Sequence, residues 1–349
     1  MKDLIISLEI TIRQAMKALN NTAEKCLLVV DGDKKFLGTL TDGDLRRSIL
    51  NSADFDDSIK GSYCSEPTIL IDGKFTKQET IEIMISKKLD LLPILNDKKQ
   101  VVDYITSDQI FGNNESQKKK SLAVPVVIMA GGKGTRLEPF TKVLPKPLVP
   151  IHEKPVIEHI IDRFTDAGVH EFILTVNYKA LIMKAFFEEL NPDYSIDILE
   201  EQEPLGTAGS MKFLVDKIYK PFIVTNCDII IKTNYLDLYE YHQKNNYDIT
   251  LVASMKNFTI PYGTCELNGE GHLKQINEKP EYNFLVNTGL YILSPDILHL
   301  IPEGKLYHIT QLIDDAMKNG KRVGVFPVDD DAWIDVGQWA EYQKALEKL

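Results

Sequence analysis

Residues 127–148 read VIMAGGKGTRLEPFTKVLPKPL: an apolar run, three glycines within four positions, an arginine, and a lysine between two prolines. Glycine lets backbone N–H groups approach an anion that any Cβ would hold off. The candidate cradle is therefore Ala130, Gly131, Gly132, Gly134 and Thr135. Arg136 offers a planar fork for two phosphate oxygens. Lys146, confined by Pro145 and Pro147, offers a point charge at a position held out of a helix. These types in this order suit a polyphosphate. The lysine of GGKGT is followed by Gly134, which is the wrong register for a Walker A loop, and Leu137 stands where a dinucleotide fingerprint needs its third glycine. A tight turn without a ligand is the bland alternative, and it leaves the two cations unexplained.

The segments around this loop must position it. After residue 124, short apolar runs (VPVVIMA, EFILTVN, SIDILEE, PFIVTNCD, DITLVAS) read as strands. Between them PVIEHIIDRFTDAG and ALIMKAFFEEL carry apolar residues at helical spacing, with prolines opening the first and Gly168 closing it. Strand–helix alternation predicts a mostly parallel sheet with helices on both faces, and such sheets bind ligands at the carboxyl ends of their strands. The glycine loop is at such an end.

Residues 1–120 have another texture. CLLVVDGDKKFLGTLTDGDLRRSI is answered 65 residues later by DLLPILNDKKQVVDYITSDQIF, each preceded by a helical segment. Residues 113–123 are polar and lysine-rich and read as a linker between a domain at 1–112 and another at 124–349. A chain of 349 residues suits two domains.

Composition narrows the class. The formal charge of −11 comes from 40 Lys+Arg and 51 Asp+Glu. Residues 1–120 hold 18 basic and 19 acidic residues, so the remainder carries 22 and 32 and nearly all of the excess. No nucleic-acid partner is expected of such a balance, and an anionic ligand needs a local cationic cluster. Cys26, Cys64, Cys227 and Cys265 show no CxxC spacing, which fits a reducing, cytoplasmic setting. Asp3 and Glu9 interrupt the N-terminal apolar run, so no signal peptide is expected, and no apolar window is long enough to suggest a membrane partner.

Two resemblances follow from the quoted residues. The N-terminal repeat resembles a CBS-domain pair (a Bateman module), in which a Thr-x-x-Asp after the second strand binds ribose and phosphate. Thr41 and Asp44 match. In the second copy Thr106 is followed by Gln109 where the acid belongs, and Asp103 stands where glycine is usual. The resemblance implies a regulatory purine nucleotide or a purely structural role, and a homo-oligomer. The run GGKGTRLEPFTKVLPKPLVPI resembles the signature of the sugar-1-phosphate nucleotidyltransferases, over about 225 residues. It implies an α/β fold with a Rossmann-like, mostly parallel sheet (GT-A-like) and Mg2+-dependent transfer from a nucleoside triphosphate to a sugar 1-phosphate. By that resemblance Arg136 and Lys146 are catalytic, and Asp228 (TNCD) and Asp335 (AWIDVG) hold Mg2+. Gly263, Glu278, Lys279 and Asn287 line the sugar-phosphate pocket, a turn being the alternative for Gly263. His152, His159 and His308 fit no such pattern and read as surface or packing residues. A regulator with an inactive transferase fold is the competing class, and the presence of Arg136, Lys146, Asp228, Lys279 and Asp335 opposes it.

The resemblance also locates base reading in EEQEPLGTAGS, with Glu201, Gly206 and Thr207. A carboxylate at Glu201 matches the two donors of guanine, whereas thymine and uracil would leave one oxygen unpaired. GTP is the expected donor, a solvated acidic loop being the alternative. A CBS pair ahead of this catalytic domain resembles the glucosamine-1-phosphate guanylyltransferases of bacterial legionaminic acid synthesis. Other sugars and bases (GDP-mannose, GDP-heptose, dTDP- or CDP-glucose types) remain open at this point. No hexapeptide repeat follows Gln338, so no attached acetyltransferase is expected.

Overall fold

The computed structural model describes residues 4–22, 26–51, 53–87, 89–106, 109, 121–269 and 271–348. Most of the expected linker therefore lies outside the described residues. The chain divides into two compact units, Met1–Lys118 with Thr259–Asn283, and Lys119–Phe258 with Phe284–Leu349.

The first unit repeats one motif in a fixed register. Strand Ile5–Ser7, helix Ile12–Thr22 and strands Cys26–Val30 and Phe36–Thr41 are followed by Leu70–Ile71, Lys77–Lys87, Leu91–Leu95 and Val101–Thr106. Each copy pairs its first strand parallel and its third antiparallel to the middle one. The hairpin turns match as well, since Lys34 and Lys99 both adopt positive φ (60° and 59°). Lys35 bridges its repeat mate Gln100, so a local pseudo-twofold passes between them. Thr11, Thr41 and Thr76 open the helices Ile12–Thr22, Asp42–Leu50 and Lys77–Lys87, each bonding reciprocally with the side chain three residues on (Gln14, Asp44 and Glu79), and Thr106 bonds in the same way with Gln109. Each such capping box satisfies two orphan backbone N–H donors and contributes about 1 kcal/mol. The first unit also includes the hairpin of strands Thr264–Leu267 and Leu273–Asn277.

The second unit carries, among the described residues, a seven-stranded sheet in the order Ser195–Glu200, Glu171–Val176, Val126–Ala130, Phe222–Asn226, Glu281–Leu293, Ile249–Thr259, Val323–Val328. The pairs on both sides of Val126–Ala130 are parallel, and Glu281–Leu293 runs antiparallel to Phe222–Asn226. All five strands and both helices expected from the sequence are present, the helices as Val156–Asp166 and Ala180–Leu190. Alternation along the strands sorts side chains into two layers. Val126, Ile128 and Ile223 join one core with Ile157, Ile160, Ile161 and Phe164 of the first helix, while Val127, Met129 and Val224 join a second core with Leu298 and Leu312. Each fully buried aliphatic chain of this kind contributes on the order of 1.5–3 kcal/mol. Gly168 ends the Val156–Asp166 helix at φ +88°, as a left-handed cap position requires.

Candidate active site

Strand Val126–Ala130 delivers the chain into the glycine loop at its carboxyl end. Ala130 itself is buried in the core beneath. The glycines have separate local causes. A Cβ on Gly131 would stand 3.0 Å from Glu201 Oε1, and one on Gly134 would stand 2.9 Å from both the Lys146 and Thr141 side chains. Gly134 also has φ +68°, and its carbonyl accepts from the Thr141 hydroxyl at 2.9 Å. Only Gly132 faces open space within this run. Thr135–Leu137 form a short 3-10 turn whose Leu137 is buried, which turns Arg136 outward.

Lys146 opens a second 3-10 turn, Lys146–Leu148, with Pro147 inside it, so the proline pair excludes an α-helix but permits this tighter turn. The lysine is 8% exposed, and its Nζ donates to Asp228 Oδ2. A two-stranded ladder brings the remote acids together: Ile229–Ile231 pairs antiparallel with Trp333–Asp335, setting Ile229 opposite Asp335. The Val336 N–H donates to the Asp228 carbonyl at 2.8 Å, and the Gly337 N–H donates to Asp335 Oδ1 at 2.7 Å. Gly337 marks where they meet. A Cβ there would stand 2.6 Å from Asp228 Oδ2, 2.9 Å from Asp335 Oδ1 and 3.2 Å from Lys146 Nζ. Burial, then the Asp228 charge, push the Asp335 carboxyl above its ordinary range; the Gly337 amide and the Lys146 and Arg136 cations oppose this.

Among the described residues no group of three or more His, Cys, Asp or Glu side chains is arranged to hold a metal ion. The Asp228 and Asp335 carboxylates meeting beside Gly337 are nevertheless a fit donor set for Mg2+, which takes its remaining ligands from water and substrate phosphates.

Glu201 is 4% exposed, follows the end of strand Ser195–Glu200, and accepts from the Leu205 N–H at Oε2 (3.1 Å). Its Oε1 is buried without a hydrogen-bond partner among the described residues. Burial raises its pKa against the Leu205 amide and the nearby Ser210 and Thr175 hydroxyls. The acid is thus in the wall of the site and not on a solvated loop. The Leu205–Gly209 segment is laced to Lys305–Ile309: Tyr307 N–H donates to the Leu205 carbonyl, and the Tyr307 carbonyl accepts from Ala208 and Gly209. Gly206, at φ +79°, and Gly209 leave room for the Tyr307 and Lys305 carbonyls. Thr207 is committed to this joint, its hydroxyl accepting from the Ile309 N–H at 3.0 Å.

One cleft of about 490 Å³ collects these pieces: the glycine loop with Thr135 and Arg136, then Lys146, Glu201, Gly206, Thr207 and Asp228. Asn226, Cys227, Leu306 and His308 line it too, and the sequence reading did not place them there. His308, expected at the surface or in packing, is exposed and also lines this cleft. No local pattern could announce it, because it lies about 100 residues from the segment it touches. Asn287 is not among the lining residues; its side chain bonds to the Tyr291 hydroxyl (2.7 Å) and the Gly289 N–H (3.0 Å). Gly263, Glu278 and Lys279 belong to the first unit, where a Cβ on Gly263 would meet Glu278 Oε2 at 2.9 Å. The first unit has its own cleft of about 510 Å³ at the Lys34 and Gln100 turns, and Thr41, Asp44 and Thr106 do not line it.

A family model described as Nucleotidyl transferase matches residues 125–349, and a CBS domain model matches residues 1–51. The mannose-1-phosphate guanyltransferase of Schizosaccharomyces pombe is 35% identical over 226 residues, covering 62% of this chain and 61% of that protein. That of Saccharomyces cerevisiae is 34% identical over 222 residues, covering 61% of each. The chain thus spans about three fifths of the length of these curated relatives. The crystal structure of HddC from Yersinia pseudotuberculosis superposes with a TM-score of 0.52 at 30% identity, covering 64% of this chain and 99% of that one. A second structure of HddC, complexed with GMP-PN, gives 0.51. Among the described residues no helix is long and apolar enough to cross a membrane.

Proposed function

The chain belongs to the nucleotidyl transferase family, with a CBS domain ahead of the transferase domain, and on that premise we propose that it moves GMP from GTP onto a hexose 1-phosphate. The observation that carries this reading is the meeting of Lys146, Asp228 and Asp335 beside Gly337, with Lys146 and Asp228 lining the cleft of the glycine loop. Two anions must approach at the α-phosphorus, and each cationic group here offsets their repulsion. Asp228 and Asp335 would hold Mg2+, which when bound supplies Lewis-acid neutralisation of the phosphate charge. The loop N–H groups and Arg136 hold the triphosphate, and Lys146 sits beneath it beside Asp228. A sugar-phosphate oxygen forms the new bond to the α-phosphorus as the bond to the bridging oxygen breaks and pyrophosphate leaves. The attacking oxygen is already ionised near neutral pH, so no general base is needed and alignment supplies much of the rate.

Guanine is favoured by Glu201, whose buried Oε1 lacks a donor that the N1–H and N2–H2 groups would provide. The named activity of the yeast relatives and the GMP-PN bound to HddC support the same base. For the acceptor, the CBS-plus-transferase layout favours glucosamine 1-phosphate, with the product serving surface glycans of the legionaminic acid type; the yeast relatives are named for mannose 1-phosphate. The N-terminal unit is read as regulatory through a purine nucleotide, and as oligomerising.

Pyrophosphate release with Mg2+, crossing GTP, dTTP, UTP, CTP and ATP with glucosamine, N-acetylglucosamine, mannose and glucose 1-phosphates, tests this. Turnover confined to GTP with glucosamine 1-phosphate is expected. GTP with mannose 1-phosphate would replace the acceptor alone, and a pyrimidine triphosphate would overturn the guanine reading.

A further inference from the structure

Glu201 and His308 flank consecutive residues of one chain corner. The Glu201 carboxylate accepts from the Leu205 N–H at 3.1 Å. At the next residue, a Cβ on Gly206 would stand 3.1 Å from His308 Nδ1 and 3.2 Å from its Cε1. Both side chains line the cleft that holds the glycine loop. The histidine is fixed by a capping box: its backbone N–H donates to Gln311 Oε1 at 2.8 Å, its ring accepts from the Gln311 backbone N–H, and the neighbouring Tyr307 and Ile309 amides bond to the Leu205–Gly209 segment. The residue is exposed and lines the cleft.

Guanine has a donor edge (N1–H, N2–H2) and an acceptor edge (O6, N7). A carboxylate satisfies only the first. With one nitrogen of the His308 imidazole accepting from Gln311, the other carries an N–H and satisfies the second. Adenine presents an amine where guanine has O6, so an acceptor–donor pair of this kind admits one purine and rejects the other. We infer that His308 is a second base-reading residue, donating a hydrogen bond to the O6/N7 edge of the guanine whose opposite edge Glu201 accepts. This inference deepens the GTP reading and rests on it.

Steady-state kinetics of the full chain with GTP, 7-deaza-GTP (no N7 acceptor) and 6-thio-GTP (a weakened acceptor at position 6) separate the two. The wild type is expected to lose about tenfold in kcat/KM on at least one analogue, the scale of one hydrogen bond. His308→Ala is expected to lose a similar factor on GTP, mainly in KM, and to treat the three triphosphates alike. His308→Gln, which keeps a donor, is expected to recover part of the discrimination, and an unchanged melting temperature for either variant excludes a folding defect. If GTP is used but His308→Ala keeps the wild-type ratios among the three, the histidine role is wrong and the guanine reading stands. If the wild type prefers a pyrimidine triphosphate, both fall.

Discussion

The glycines of the signature loop serve two masters, and the distinction matters at the level of single atoms. Gly131 and Gly134 are small because Glu201 and Lys146 pack against them, and Gly132 alone is open to a ligand. The same reasoning isolates Gly337, which has no pattern of its own and yet sits among both acids and Lys146. Gly337→Ala would push a methyl group to 2.6 Å from Asp228 Oδ2. Displacement by about an ångström at reacting groups costs on the order of 100-fold in rate. We expect kcat to fall by about that factor while the far-UV circular dichroism and melting temperature hold. Near-wild-type kcat in this variant would show that the carboxylate pair is not part of the reacting centre.

At the level of elements, the Thr-x-x-Asp of the first repeat has a complete structural explanation. Thr41 and Asp44 close a capping box on helix Asp42–Leu50, and Thr106 makes the same reciprocal pair of bonds in the second copy with the amide of Gln109. A glutamine in place of the acid therefore preserves these bonds, whatever it does to a nucleotide. Another element-level feature lies under the central sheet. His242 is 2% exposed on helix Tyr235–Lys244, and its Nδ1 lies 2.8 Å from the Thr250 hydroxyl. Burial lowers its pKa to about 4, against a weaker opposing pull from Asp248. The unfolded chain, with an ordinary histidine near 6.5, then binds more protons between those values. Stability is full above about pH 6.5 and is lost as pH falls towards 4, by up to about 3 kcal/mol for this one group. Urea midpoints from pH 7 to pH 4 should show that loss, and His242→Gln should flatten it; an unaltered slope would assign the acid sensitivity to other groups.

For the molecule as a whole, the two compact units have separate cores, so a single two-state transition is not expected. Calorimetry should resolve two transitions. Mg2+ with GTP should raise the second unit's transition by mass action, by about 2.7 kcal/mol at 100 times Kd, and should move the first unit's transition separately if that unit also takes the purine nucleotide. A single merged transition would mean that the units unfold as one. The 65-residue repeat, the parallel sheet and the loop residues were legible in the sequence because each rests on local rules: strand and helix periods, glycine at strand ends, cations beside an anion cradle. What tertiary structure decided is the company those residues keep. The antiparallel pairing of Ile229–Ile231 with Trp333–Asp335 joins acids more than 100 positions apart, and the lacing of Leu205–Gly209 to Lys305–Ile309 brings His308 to the cleft. Such contacts are set by core packing over long separations, for which no residue spacing in the chain gives a sign.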